Sequence, residues 1–310
     1  MFDETLSFSL LGMTGYFYGL MAALGAALAL AFFTRYSKLA GLKSGTAPLF
    51  GVLAIPLALL CSRLLFCLLD FRFHGMFSLK AMLTFWGGGF SMTGALLGAA
   101  LAAWLTARIQ RISPMRVLDV MAVSMLFFIL AARIGERGTE LLGRSRPLTT
   151  DWLANSFLAE SDGYDAYLRT YLLEAITAGV LAVIMAARIQ RRKTVKGSLL
   201  TVMLLLGCTQ VFWESLRFDS HMRYSFISMQ QILFALMFAV PLVYYAAKCG
   251  KKAVITAVCL CVALVGAIVG LEFMIDRSSI SNLILYIPYA LLLAIPAWLG
   301  LRYQKRSEQH

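Results

Sequence analysis

The amino-acid sequence predicts an all-α integral membrane protein, a polytopic bundle of about nine transmembrane helices. Of the 310 residues, 60% are hydrophobic and only 14% are charged, and the mean hydropathy is +0.77. A soluble domain usually has about a quarter charged residues. This chain therefore needs a bilayer to cover its apolar surface, and the composition excludes an ordinary soluble domain.

Nine apolar runs are long enough to cross a membrane, for which a helix needs about 20 residues. They cover residues 9–33, 47–69, 83–107, 117–134, 170–187, 197–213, 229–247, 253–275 and 279–301. Each run predicts one transmembrane helix.

Basic residues follow every second span, and this pattern predicts the orientation of the chain. The net charge is +12, and more than half of the 28 basic residues lie after spans one, three, five, seven and nine. Basic residues collect in cytoplasmic loops. We therefore expect an outside N-terminus, a cytoplasmic C-terminus and no nucleic-acid partner. The longest loop, residues 135–169, is expected to form a small domain on the outer side.

Several charged residues lie inside or at the ends of the predicted spans, where they are costly and often functional. They either line a shared polar cavity or pair with one another to hold helices together. The set is Arg63, Asp119, Arg133, Glu140, Glu174, Glu214, Arg217 and Glu272.

The cysteines and histidines do not predict a metal site. All six cysteines lie in or beside apolar runs, and none of the three histidines is spaced as a ligand with a cysteine pair. Buried thiols are the expected state. We expect no metal and no cofactor.

Two longer motifs are distinctive. Residues 86–95 read WGGGFSMTGA and residues 132–144 read ARIGERGTELLGR. They resemble W-x-G-G-M-S-F-H-G-G and, with one deletion, G-R-x-G-N-F-x-N-G-E-x-x-G-R of the prolipoprotein diacylglyceryl transferase family. Shorter resemblances to family motifs follow in the same order along the chain: residues 18–21 (YGLM), 62–64 (SRL), 171–175 (YLLEA), 214–217 (ESLR) and 228–231 (SMQQ).

The resemblance implies an activity and its partners. Such enzymes transfer diacylglyceryl from phosphatidylglycerol to the cysteine thiol of a lipoprotein precursor, in the bacterial plasma membrane. The implied partners are phosphatidylglycerol or another anionic phospholipid, a lipoprotein precursor and the bilayer, with no cofactor. Residues 1–247 would form a seven-span transferase-like core, and 248–310 a two-helix addition with a basic cytoplasmic tail.

The resemblance also implies roles for individual residues. Arg133 is expected to be the main phosphate anchor, because a guanidinium binds phosphate through two parallel hydrogen bonds. Further phospholipid-binding residues would be Arg63, Arg217 and Gly143. The expected catalytic residues are Glu140 and Tyr18. The expected supporting residues are Asp119, Glu136, Glu214, Thr93 and Gly94.

Two substitutions relative to the family motifs keep other functions open. Thr93 stands where the family motif has histidine, and Gln210 where the family has arginine. Threonine cannot accept a proton near neutral pH. The alternatives are a non-catalytic paralogue that binds phospholipid or lipoprotein precursor, and a small-solute transporter.

The predicted topology is tested by labelling single cysteines in a background without the native cysteines. With a membrane-impermeant maleimide, Ser161→Cys should react in intact cells, because the 135–169 loop is expected outside. Thr194→Cys should react only after permeabilisation. Reaction of both positions from the same side would contradict the nine-span topology.

Overall fold

The computed structural model describes residues 7–10, 13–69, 79–84, 89–139, 143–148, 150–218, 223–225, 227–278 and 282–308. Within these ranges nine helices are long and apolar enough to cross a membrane. They are α1 (Phe17–Leu39), α2 (Thr46–Leu69), α4 (Met92–Gln110), α5 (Pro114–Gly135), α7 (Thr170–Arg192), α8 (Ser198–Leu216), α9 (Met229–Cys249), α10 (Lys251–Arg277) and α11 (Asn282–Ser307). Two short helices, α3 (Leu79–Leu83) and α6 (Asp151–Ala154), lie between them. The predicted all-α polytopic architecture is confirmed.

The first and third spans begin later than the sequence predicted. Before α1, strands β1 (Ser7–Leu10) and β2 (Met13–Tyr16) pair as an antiparallel hairpin, so the helix begins at Phe17 and not at residue 9. The third span begins at Met92, because the Ser91 hydroxyl caps α4 by accepting a hydrogen bond from the Gly94 N–H at 3.2 Å. Apolar composition alone did not reveal either boundary.

The chain divides into two compact units. Unit 1 comprises Met1–Leu199 and Leu216–His221, and unit 2 comprises Leu200–Ser215 and Met222–His310. In unit 1, α5 is the most buried span and packs against α1, α4 and α7, while α2 packs against α4. In unit 2, α9 packs against both α10 and α11. The sequence-based division at residue 247 remains a proposal about domain organisation.

Helices α2 and α4 approach closely at two glycines. A Cβ added at Gly94 would lie 2.6 Å from the Cys61 carbonyl oxygen, and one at Gly98 would lie 2.6 Å from Ala58 Cα. Glycines four residues apart allow two backbones to meet in a membrane, where van der Waals packing holds helices together. This spacing fixes the contact between the two helices.

Asp119 lies near the start of α5 and stabilises the start of α8. Its Oδ2 accepts a hydrogen bond from the Gly197 N–H (3.1 Å), and its Oδ1 accepts one from the Leu199 N–H (2.8 Å). A carboxylate at a helix N-terminus satisfies N–H groups that have no partner within the helix. Asp119 is therefore a helix cap.

The long loop contains a small antiparallel sheet. Strands β3 (Arg144–Pro147), β4 (Ala159–Ser161) and β5 (Ala166–Arg169) are arranged with β5 in the centre. At the β4–β5 turn, the backbone N–H groups of Asp165 and Tyr164 donate to Asp162 and lower the pKa of its carboxyl group. Strands β6 (Arg223–Tyr224) and β7 (Ile227–Ser228) form a second short hairpin.

Near the end of three spans, a basic side chain packs over the ring of the aromatic residue four positions earlier. The pairs are Trp104–Arg108 (5.2 Å), Tyr244–Lys248 (4.7 Å) and Trp298–Arg302 (5.2 Å), at the ends of α4, α9 and α11. Aromatic and basic residues are typical of a membrane–water interface. These are ends that the sequence assigns to the cytoplasmic side, and that orientation remains a prediction.

A buried polar cluster joins three helices of unit 2. The Gln231 side-chain amide donates to Glu272 Oε1 (2.6 Å) and to the Tyr289 hydroxyl (2.5 Å), and Tyr289 donates to Glu272 Oε1 (2.9 Å). These residues belong to α9, α10 and α11. Hydrogen bonding offsets the cost of burying the Glu272 carboxyl group. The cluster thus ties α10 and α11 to α9.

The glycine contact predicts the effect of one added methyl group. Gly98→Ala should lower the free energy of unfolding by about 1–3 kcal/mol, because the methyl group would overlap the α2 backbone. Gly179→Ala on α7 is the matched control, since its Cβ would meet Leu130 Cδ1 at an ordinary 3.6 Å. Thermal unfolding in detergent measures both variants, and equal stabilities would contradict the packing argument.

Candidate functional site

A cluster of four charged side chains lies at the end of α5. Arg133 is in the last turn of this helix, and Glu136 begins the 3₁₀ turn that follows (Glu136–Gly138). Their spacing of three residues puts them on one face of the chain. Glu174 comes from α7, and Arg217 directly follows α8.

These four side chains form a closed ring of ion pairs, which we call the charge ring. Arg133 Nη1 lies 2.5 Å from Glu136 Oε1, and Arg133 Nε lies 2.7 Å from Glu174 Oε2. Arg217 Nη1 closes the ring, 2.9 Å from Glu174 Oε1 and 3.1 Å from Glu136 Oε2. Each arginine therefore contacts both carboxylates.

The charge ring is buried and balanced. Its side chains range from fully buried at Glu174 to 8% exposed at Glu136. Two guanidinium groups and two carboxylates have no net charge when all are ionised, and this balance offsets the cost of removing them from water. Removing one member would leave an uncompensated charge among the other three.

Three glycines surround the ring. A Cβ at Gly143, where φ is +72°, would lie 2.6 Å from Glu136 Oε2, so a side chain there would displace the carboxylate. Gly135 and Gly138 pack against α1, since Cβ atoms there would lie 2.9 Å from Met21 Cβ and 3.0 Å from Phe17 Cβ. The absence of a side chain at Gly135 and Gly138 therefore allows α1 to approach the end of α5 closely.

Tyr18 lies in the first turn of α1 and belongs to the surroundings of the charge ring. It interacts electrostatically with Glu136, Arg133 and Arg217. The structure thus brings Tyr18, Arg133, Glu136, Arg217 and Gly143 together, as a common site requires. The predicted residue Glu140 lies outside the described residues, as does Trp86 of the first motif.

Arg63 is placed at the junction of α2 and α4. Its buried guanidinium donates from Nη1 to the Gly89 carbonyl oxygen (2.9 Å) and lies 5.7 Å from the centre of the Phe66 ring. Gly89 has a φ of +78°, and a Cβ there would lie 2.8 Å from Arg63 Nη1. Arg63 therefore orders the segment that leads into α4.

Thr93 and Gly94 belong to the cap at the start of α4. The Thr93 hydroxyl lies 2.9 Å from the Ser91 hydroxyl, which also accepts the Gly94 N–H. Thr93 is buried. Both residues thus help to set where this helix begins.

The other two predicted supporting residues, Asp119 and Glu214, are hydrogen-bonded. Asp119, the cap of α8, is separated from Arg133 along α5 by roughly 20 Å at 1.5 Å per residue. Glu214, in unit 2, is buried and accepts a hydrogen bond from the Ser228 hydroxyl at 3.1 Å.

Glu174 is the ring member to which the family resemblance assigned no individual role. The sequence marked it as a carboxylate within an apolar span and as part of the run YLLEA, which resembles a family motif. Its contact with Arg217 joins residues 43 positions apart in the chain. No local periodicity predicts such a contact, although a charge inside a span indicates a functional or paired residue.

The ring predicts strong energetic coupling between its members. Glu174→Gln should lower the free energy of unfolding by about 3–5 kcal/mol, because it leaves a buried excess positive charge. Adding Arg133→Gln should cost less than the sum of the two single changes. Glu160→Gln, at a carboxylate that is 29% exposed, is the control and should cost less than about 1 kcal/mol. Unfolding by SDS in mixed micelles measures all four variants, and additive effects would contradict the ring.

Comparison with known proteins identifies the family. The profile of the prolipoprotein diacylglyceryl transferase family matches residues 5–247. The phosphatidylglycerol–prolipoprotein diacylglyceryl transferase of Clostridioides difficile (strain 630) is 26% identical over 221 residues, which are 71% of this chain and 85% of that protein. The protein of the same name from Bacillus velezensis is 26% identical over 239 residues, 74% of this chain and 86% of the relative. The chain is therefore a multi-pass membrane protein that belongs to the prolipoprotein diacylglyceryl transferase family.

Proposed function

We propose that this protein transfers the diacylglyceryl group of phosphatidylglycerol to the cysteine thiol of a lipoprotein precursor in a bacterial plasma membrane. The names of its relatives give this reaction for those proteins. The observation that supports the proposal in this chain is the charge ring. It holds two arginine side chains in fixed positions at the C-terminal end of α5.

The reaction exchanges one bond for another. The sulfur of the precursor cysteine attacks the glyceryl carbon that is attached to the phosphate oxygen. A carbon–sulfur bond forms, the carbon–oxygen bond breaks, and glycerol phosphate leaves with the bonding electrons. The thiol proton passes to a base, and the phosphate changes from one negative charge towards two. The precursor supplies the nucleophile, so no cysteine of this protein takes part.

The increase in negative charge is the step that arginines can favour. A guanidinium held in place in a water-poor site stabilises a developing charge without having to reorganise. Arg133 is our proposed main anchor for the phosphate, and Arg217 the second. Glu136 and Glu174 would hold both guanidinium groups, and a phosphate would compete with one of these carboxylates as charge develops.

The remaining predicted residues have narrower proposed roles. Gly143 would keep space for the Glu136 carboxylate, since a side chain there would collide with it. Tyr18 would offer a hydroxyl group beside the ring, and Arg63 would order the segment before α4. Glu140 remains a proposed catalytic carboxylate on the strength of its position in the motif alone.

A second candidate function is binding of phosphatidylglycerol or lipoprotein precursor without chemistry. The observation that favours it is Thr93, whose hydroxyl bonds to Ser91 in the α4 cap. A threonine hydroxyl does not accept the thiol proton near neutral pH. Catalysis would then require a base elsewhere in the protein or on the substrate.

One assay separates the two functions. The purified full-length protein is mixed with phosphatidylglycerol micelles and a synthetic precursor peptide that contains one cysteine. Transfer predicts that the peptide gains one diacylglyceryl group and that an equal amount of glycerol phosphate appears. A peptide with serine in place of cysteine is the control. Lipid binding without a change in peptide mass would favour the second function.

Substitutions of Arg133 test the proposed anchor. Arg133→Ala should lower the transfer rate about 10²- to 10³-fold, the effect of losing a group that stabilises developing charge. Arg133→Lys should lower it less, because lysine retains the charge but not the paired hydrogen bonds. Phosphatidylglycerol affinity should fall in the same order. Thermal stability is measured on the same samples. Reduced stability with unchanged lipid affinity and rate would make Arg133 a purely structural partner of Glu136 and Glu174.

A further inference from the structure

Three arginines lie next to the charge ring in the sequence. Arg137 follows Glu136, Arg144 follows Gly143, and Arg169 precedes α7, the helix that carries Glu174. We call Arg137, Arg144 and Arg169 the arginine patch. The patch lies near the ring because each arginine is next in sequence to a ring residue, to the glycine beside Glu136, or to the helix that carries Glu174.

Contacts around one carboxylate hold two of these arginines together. Arg144 Nη2 lies 3.2 Å from Glu160 Oε1, and Arg169 Nε lies 3.7 Å from Glu160 Oε2. Arg169 Nη1 also donates to the Phe157 carbonyl oxygen at 3.1 Å. The third arginine, Arg137, interacts electrostatically with Tyr171, as Arg169 and Glu160 also do.

The patch is accessible and has an excess of positive charge. The Arg144 and Arg169 side chains are 21% and 35% exposed, and Arg137 is exposed. Arg144 and Arg169 share one carboxylate, Glu160, and the exposed guanidinium of Arg137 adds a further positive charge. The buried charge ring, in contrast, is balanced and attracts an anion only weakly at a distance.

The nearby acids lie at the other end of β5 from Arg169. Asp162 and Asp165 lie at the β4–β5 turn, where β5 begins, whereas Arg169 ends β5. The strand spans about 10 Å at 3.3 Å per residue. Tyr167, which lies within this strand, interacts electrostatically with both acids and with Arg144. The positive end of the sheet is therefore the end that joins α7.

We propose that the arginine patch is a capture site for the phosphate ester of a lipid headgroup or of the released glycerol phosphate. This inference rests on the proposed function, because it assigns the first contact of that reaction's anion. Planar guanidinium groups match phosphate oxygens in geometry. Exposed positive charge raises the local concentration of an anion and the rate of encounter. Glu160 opposes capture, because it competes with the anion for Arg144 and Arg169.

The test measures binding of three probes to the full-length protein in a neutral detergent. The probes are short-chain phosphatidylglycerol, short-chain phosphatidylcholine and glycerol phosphate. Replacing any one arginine of the patch by glutamine should weaken phosphatidylglycerol binding by about two- to fivefold, the size of a partly exposed charge contact. Arg144→Lys should weaken it less than Arg144→Gln, because lysine retains the charge but not the paired hydrogen bonds. Arg191→Gln, at an exposed arginine in the last turn of α7, is the matched control.

Glu160→Gln gives an effect in the opposite direction. It should tighten phosphatidylglycerol binding by about two- to fivefold, because the competing charge is removed. Loss of folding cannot produce tighter binding. These differences from wild type should also shrink as salt rises, since exposed charges are screened over about 8 Å at 0.15 M ionic strength.

The probes distinguish the source of the phosphate. A patch-dependent affinity for phosphatidylglycerol alone assigns the site to the lipid headgroup, and an equal dependence for glycerol phosphate assigns it to the released product as well. Unchanged phosphatidylglycerol affinity in folded patch variants and in Glu160→Gln would overturn the capture site, even if the protein transfers diacylglyceryl. Patch-dependent binding without transfer would instead support the site and contradict the proposed reaction.

Discussion

The burial of two arginines and two glutamates in one ring is the interaction on which unit 1 depends. Arg133 and Glu136 come from the end of α5, Glu174 from α7, and Arg217 from the residues that follow α8. A buried charge is tolerated only if it is paired, so these segments must end at matching depths. The ring therefore fixes the ends of several helices and holds two guanidinium groups in place.

Close helix packing supplies the frame around this ring. Glycines bring α4 against α2 at Gly94 and Gly98, and bring the start of α1 against the end of α5 at Gly135 and Gly138. In lipid, packing of this kind has to replace the hydrophobic effect between helices. The glycines of the ARIGERGTELLGR motif thus allow the close approach of α1 and leave space for the Glu136 carboxylate.

Charge is distributed differently inside and outside the membrane-spanning part of unit 1. The ring is buried and balanced in charge, whereas the small sheet of the long loop carries a positive end at Arg144 and Arg169. A neutral buried site avoids the cost of an isolated charge, but attracts an anion weakly. The exposed positive surface beside it attracts an anion more strongly, and its charges remain in contact with water. In unit 2, Glu272 is held by Gln231 and Tyr289, which ties the two helices beyond the family match to α9.

The sequence alone determined the class, the nine spans and the family, because hydropathy and collinear motifs are properties of the chain. It also identified Arg133 and Glu136, whose pairing follows from their spacing of three residues. It did not predict the β1–β2 hairpin before α1, the strands of the long loop or the role of Glu174. The contact of Glu174 with Arg217 joins positions 43 apart, and the capping of α8 by Asp119 joins positions 78 and 80 apart. Only the tertiary structure decided these pairings, because they depend on which helix ends meet in space.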